Sequence, residues 1–121
     1  MSSKRIVYFQ TASEGVLPLM DLYEMEDSLI FDIDLPGVNP DDVLIKVYGD
    51  IVIIEGVKRE RKEQKRLRYI CMERSFESFR RIIKIPVPVD TSAGRAWYRE
   101  GVLTLRFPKV PDRVIKIRIE Q

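Results

Sequence analysis

The sequence predicts an all-β sandwich. Three observations carry that prediction. Apolar residues recur at every second position in several short runs, and Gly, Pro, Asn and Asp bound those runs. The one long stretch without Gly or Pro lacks the apolar stripe that a packed helix needs.

The first ordered element is expected in "LIFDIDLPG". Leu29, Phe31, Ile33 and Leu35 share one face and Asp32 and Asp34 the other, before Pro36-Gly37 turns the chain. "DDVLIKVYGDIVIIEG" reads as two strands, Val43–Tyr48 and Ile51–Glu55, joined at Gly49-Asp50, where a leading glycine suits a primed hairpin turn. "VKRERKEQKRLRYICMERS" is the stretch that resists. Its residues from Glu60 to Leu67 are good helix formers, yet no apolar position appears before Leu67. We read 58–66 as an excursion from the sandwich, followed by a short strand near Arg68–Glu73, with a helix as the alternative. "SFRRIIKIPVPVD" is a further strand, closed by prolines that cannot donate ladder hydrogen bonds. "RAWYREGVLTLRFPK" is a second hairpin turning at Arg99-Glu100-Gly101, with Leu103, Leu105 and Phe107 opposite Val102, Thr104 and Arg106. Last comes "RVIKIRIEQ", in which Ile115, Ile117 and Ile119 alternate with Lys116, Arg118 and Glu120. Only Glu120 and Gln121 follow in this sequence, so no later segment of it covers those isoleucines. Leaving them wet forfeits roughly 1.5–3 kcal/mol each.

The 121 residues suit one domain, with an arm over residues 1–17, a sandwich over 18–109 and an extension over 110–121. The single cysteine, Cys71, excludes an internal disulfide framework and fits a reducing compartment. No run approaches the roughly 18 apolar residues of a membrane span. The opening "MSSKRIVYFQTASEGV" holds a four-residue apolar cluster but no signal-peptide core, so a cytoplasmic protein with no membrane partner is expected. Charge is segregated: residues 14–56 hold eleven acids and one base, and residues 57–81 hold ten bases and four acids. That split describes either two solvated faces of one fold or two segments that attract one another and steer assembly.

Enzyme chemistry finds little support. With no histidine, Ser-His-Asp and Cys-His arrangements and most zinc sites are excluded. Asp32 and Asp34 imitate a carboxylate pair but sit on a solvated strand face. There is no glycine-rich phosphate loop, and neither a catalytic residue, a metal nor a cofactor is expected. A single-stranded nucleic-acid surface is a remote alternative: seven bases from Lys58 to Arg68 adjoin Tyr69, and Tyr48, Trp97 and Tyr98 could stack bases. Glu60 and Glu63 interrupt that run, and strand aromatics usually pack, so no nucleic-acid partner is expected.

From about Pro18 to Ile119 the chain resembles the small heat-shock proteins, whose shared module is the α-crystallin domain. "DLYEMEDSLIFDIDLPGVNPDDV" resembles that family's opening strands and Leu-Pro-Gly turn, and "IVIIEGVKRE" and "ERSFESFRRIIKIP" follow at family-like spacing. The strongest piece is "AWYREGVLTLRFPK", with Ala96, Gly101, Val102, Leu103, Pro108 and Lys109 in the family's pattern. Ser78 stands where the family usually has Gly, and Glu100 where it often has Asn. The arm is short for a family in which that region commonly contacts clients and builds assemblies.

The resemblance implies an immunoglobulin-like sandwich and an ATP-independent holdase for partly unfolded client proteins. It implies homodimers and higher oligomers, and gives the tail a role. Ile117-Arg118-Ile119, or the overlapping register Ile115-Lys116-Ile117, would dock in a neighbour's groove beside Val43, Ile45, Val47 and Ala96. The long loop would exchange a strand: Arg68, Tyr69, Ile70, Cys71 and Met72 would pair with Asp21, Leu22, Tyr23 and Glu24 of a partner. A scaffold or co-chaperone of the related CS-domain type is the alternative.

Overall fold

The computed structural model describes residues 18–59, 66–74, 77–111 and 115–121. The arm 1–17, most of the basic excursion and the start of "SFESF" lie outside the described residues. Seven strands form: β1 Met20–Glu24, β2 Ser28–Asp34, β3 Val43–Tyr48, β4 Ile51–Val57, β5 Ser78–Lys84, β6 Arg95–Arg99 and β7 Val102–Pro108. They make two antiparallel sheets, one ordered β1-β2-β7-β6 and one ordered β3-β4-β5. No α-helix occurs among the described residues, only short 3-10 turns at Pro40–Asp42 and Thr91–Ala93.

The alternation read in the sequence becomes the core. Leu29, Phe31 and Ile33 of β2 lie beside Phe107, Leu105 and Leu103 of β7, and all six are buried. Val52 and Ile54 of β4, with Phe79 and Ile83 of β5, close the layer from the other sheet. Phe31 and Phe107 meet edge to face, with centroids 6.0 Å apart and planes at 86°, the geometry that sets a ring's positive edge on its neighbour's negative face.

Two hairpin turns set the register. Tyr48 pairs with Ile51, so Gly49-Asp50 is a two-residue loop, and its φ of +57° at Gly49 fits the first position of a II′ turn. The second turn is tighter than the expected three residues. Arg99 pairs with Val102, leaving only Glu100 and Gly101, both left-handed at φ +53° and +78°. That is the I′ pattern, whose twist matches the flanking strands.

The strand expected at Arg68–Glu73 does not form within the chain, and its residues carry no regular secondary structure. The reason is physical: a strand needs a ladder partner, and among the described residues no strand lies alongside this segment. Beyond β7 the backbone is pinned. The Lys109 N–H donates to the Asp27 carbonyl at 2.9 Å and the Val110 N–H to the Pro88 carbonyl at 3.2 Å. The Lys109 ammonium adds an ion pair with Glu24 at 3.0 Å.

Candidate functional site

Two sheets have four edges, and each edge strand shows unpaired backbone to a newcomer. The edges at β5 and β1 are tied together: the Arg81 guanidinium donates from Nη1 to the Pro18 carbonyl at 2.8 Å, just ahead of β1. Burial pushes the Arg81 pKa below its ordinary value, and an inward charge at an edge discourages stray pairing. The remaining edges, β3 and β6, therefore open together on the opposite side of the sandwich.

The open edge is apolar inside. Val43, Ile45 and Val47 face inward from β3, level with Gly56, Ile54 and Val52 of β4, and all three are only half-buried. From β6, Ala96 and Tyr98 face the same way, level with Leu105 and Leu103 of β7. Tyr98 packs on the core and is the wall residue that sequence reasoning missed. Strand alternation with Ala96 was the signal that could have found it. The rim is basic, with Arg95 and Arg99 on the outward face of β6 beside a half-exposed Trp97.

The tail lies off its own fold. Ile115, Ile117 and Ile119 are 79%, 87% and 87% exposed. Apolar residues at the β3 and β6 edges and an apolar tail segment are thus both present in one chain, and the structure does not bring them together.

At the other side of the molecule, β1 is the outer strand of its sheet, and among the described residues no strand pairs with its second edge. Its inward residues Met20 and Leu22 are half-buried against the core. Tyr23 faces outward, and its hydroxyl donates to Asp32 at 3.0 Å while Thr104 donates to the other oxygen of the same carboxylate at 2.9 Å. Burial first, and the Asp32 carboxylate second, raise the Tyr23 pKa above its ordinary value. The segment expected to supply a partner strand is wet: Ile70 is fully exposed, Met72 and Tyr69 are exposed, and Cys71 is a free, exposed thiol. No β-ladder joins Arg68–Met72 to Asp21–Glu24 in the single chain.

A model of the Hsp20/alpha crystallin family matches residues 21–120. Spore protein SP21 of Stigmatella aurantiaca is 38% identical over 96 residues, covering 79% of this chain and 57% of that protein. Heat shock protein 16 of Schizosaccharomyces pombe is 36% identical over 104 residues, covering 84% of this chain and 73% of that one. Among solved structures, heat shock protein 16.0 from Schizosaccharomyces pombe superposes with a TM-score of 0.74 at 30% identity, over 88% of this chain and 99% of that one. The hspA protein of Xanthomonas axonopodis gives 0.68 at 28% identity, over 83% and 100%. The chain spans 57% and 66% of two of the curated relatives it matches, Spore protein SP21 and small heat shock protein C2 of Rickettsia felis.

Proposed function

The chain belongs to the Hsp20/alpha crystallin family, and from that premise we propose that it is an ATP-independent holdase, binding partly unfolded proteins through apolar surface and keeping them from aggregating. One observation carries this beyond membership. The molecule keeps three exposed isoleucines in its tail, and the inward residues Val43, Ile45 and Val47 at the β3 edge of its sandwich stay only half-buried. A scaffold that binds folded partners has no need of either.

In this proposal the chain's own copies are its first partners. Ile117 and Ile119 dock in the groove of another subunit, contributing roughly 3–6 kcal/mol before the entropy of ordering the linker is subtracted. The net is modest, so single tails dock reversibly and several together hold an assembly. Dimers form by strand exchange, with Arg68–Met72 joining the free edge of a partner's β1. Charge favours an antiparallel arrangement. It sets Arg68 near Glu24 and Ile70 beside the half-buried Leu22, whereas a parallel one sets Glu73 against Glu24. No substrate is turned over and no cofactor is held. A cytoplasmic, reducing location belongs to the same proposal.

The test is light scattering from a heat-denaturing enzyme, with and without this protein, in nucleotide-free buffer. Near-stoichiometric protein should suppress the scattering, and ATP should change nothing. Undiminished scattering, or suppression only with ATP, would sink the holdase.

A further inference from the structure

The outward face of the three-stranded sheet is not a solvated face of the usual kind. Strand register builds it as three rows: Leu44-Glu55-Arg80, Lys46-Ile53-Ile82 and Tyr48-Ile51-Lys84. Leu44 and Tyr48 are 52% and 63% exposed, and Ile51, Ile53 and Ile82 point away from the core and are only half-buried. The charges around them are mostly paired, with one positive charge in excess: Lys46 and Arg80 share Glu55, at 2.6 and 3.4 Å, and Lys84 lies 3.8 Å from Asp50. What is left at the centre is an apolar patch of Ile51, Ile53 and Ile82 flanked by Leu44 and Tyr48, which suits an apolar occupant.

We infer that this face is the docking surface for the chain's own N-terminal arm, through the run Ile6-Val7-Tyr8-Phe9. Three arguments on the molecule select that occupant. The first is attachment. The arm joins the sandwich at Pro18, whose carbonyl is held by Arg81 of β5, and β5 is the near strand of this sheet. The second is reach. Phe9 is nine residues before Pro18, a span of up to about 30 Å, while the far strand β3 lies only about 10 Å beyond β5. The third is size. Three strands by about five residues make a patch on the order of 250 Å², well below the roughly 800 Å² per partner of a stable dimer, but matched to a short apolar segment. The inference depends neither on tail docking nor on strand exchange.

The experiment uses the full chain with Cys71→Ser and Gln10→Cys, a benzophenone attached at position 10, and isotope-labelled and unlabelled chains mixed before irradiation. Cross-links should map to Ser78–Lys84 and Ile51–Val57 and should join peptides of the same isotopic origin. Adding Ile53→Thr and Ile82→Thr, which keep strand propensity but remove the apolar centre, should cut that yield at least fivefold. Cross-links concentrated on Arg95–Arg99 would put the arm in the groove and overturn the inference. So would links only between differently labelled chains, links scattered over the surface, or a yield indifferent to the two threonines.

Discussion

The Tyr98 hydroxyl donates a 2.6 Å hydrogen bond to the main-chain carbonyl of Leu35, sixty-three residues away in sequence. It ties edge strand β6 to the Leu-Pro-Gly turn that leaves β2. The Leu35 N–H is already spent on the Gly101 carbonyl at 2.8 Å, and the Leu35 carbonyl has one other donor, the Val38 N–H at 3.4 Å. Tyr98→Phe keeps the ring on the core and removes the short bond. The cost should be about 1 kcal/mol, because the longer contact remains. For a domain of this size that is a fall of roughly 4–8 °C in Tm, read by calorimetry. An unchanged Tm would show that the bond is replaced by water without loss.

Glu100→Asn should stabilise the protein. Glu100 holds φ +53° as the first central residue of the I′ turn, where its Cβ is penalised and Asn is favoured. The gain should be about 0.5–1 kcal/mol, seen as a higher urea midpoint at constant slope. A lower midpoint would mean that the Glu100 side chain has a compensating role in the fold.

Ile117→Ser with Ile119→Ser should leave the sandwich folded and move mass from large assemblies toward dimers, measured by light scattering coupled to gel filtration. An unusual salt dependence should accompany docking. The tail's outward residues Lys116 and Arg118 would lie near Arg95 and Arg99, so docking is opposed by like charge. Raising salt from about 0.01 to 0.15 M shortens the Debye length from about 30 to 8 Å and should strengthen the tail-held assembly. A mass that falls with salt would place the tail elsewhere.

Strand exchange is tested at Ile70, which is fully exposed in the single chain. Ile70→Asp should weaken the dimer by about 10²–10⁴-fold, since strand exchange would bury two such side chains per dimer at roughly 1.5–3 kcal/mol each. Sedimentation of an unperturbed dimer at sub-micromolar protein would exclude pairing through this segment.

How far the sequence could be read depended on whether a residue's partners were local. Leu29, Phe31 and Ile33 announced their buried face because strand alternation is a property of neighbours in sequence. Gly49-Asp50 announced its turn for the same reason. Ile30 did not: it lies on the outward face with Asp32, yet is buried beside Tyr23 and Arg106, its register partners on two other strands. Val43, Ile45 and Val47 were legible as inward residues of β3, and Tyr98 lay within reach of the same reading because it alternates with Ala96 on β6. The segment Arg68–Glu73 is a strand by pattern and not by structure, because the pattern of a strand does not say whether a ladder partner lies alongside.

The pinning of Lys109 and Val110 turns the tail into a tether of known anchorage. Seven Cα-to-Cα steps lead from Val110 to Ile117, so that isoleucine can never lie more than about 23–25 Å from the anchor, whatever the linker does. Any groove it fills must come within that radius, which makes the sequence length between Val110 and Ile117 a ruler for subunit spacing. Confinement to so small a sphere also presents the tail to a correctly placed neighbour at millimolar effective molarity. Adding or removing two linker residues would change the ruler by about 7 Å while leaving every contact in the sandwich untouched. Chain length past β7, and not groove chemistry, then becomes the variable that selects which assembly geometries can close.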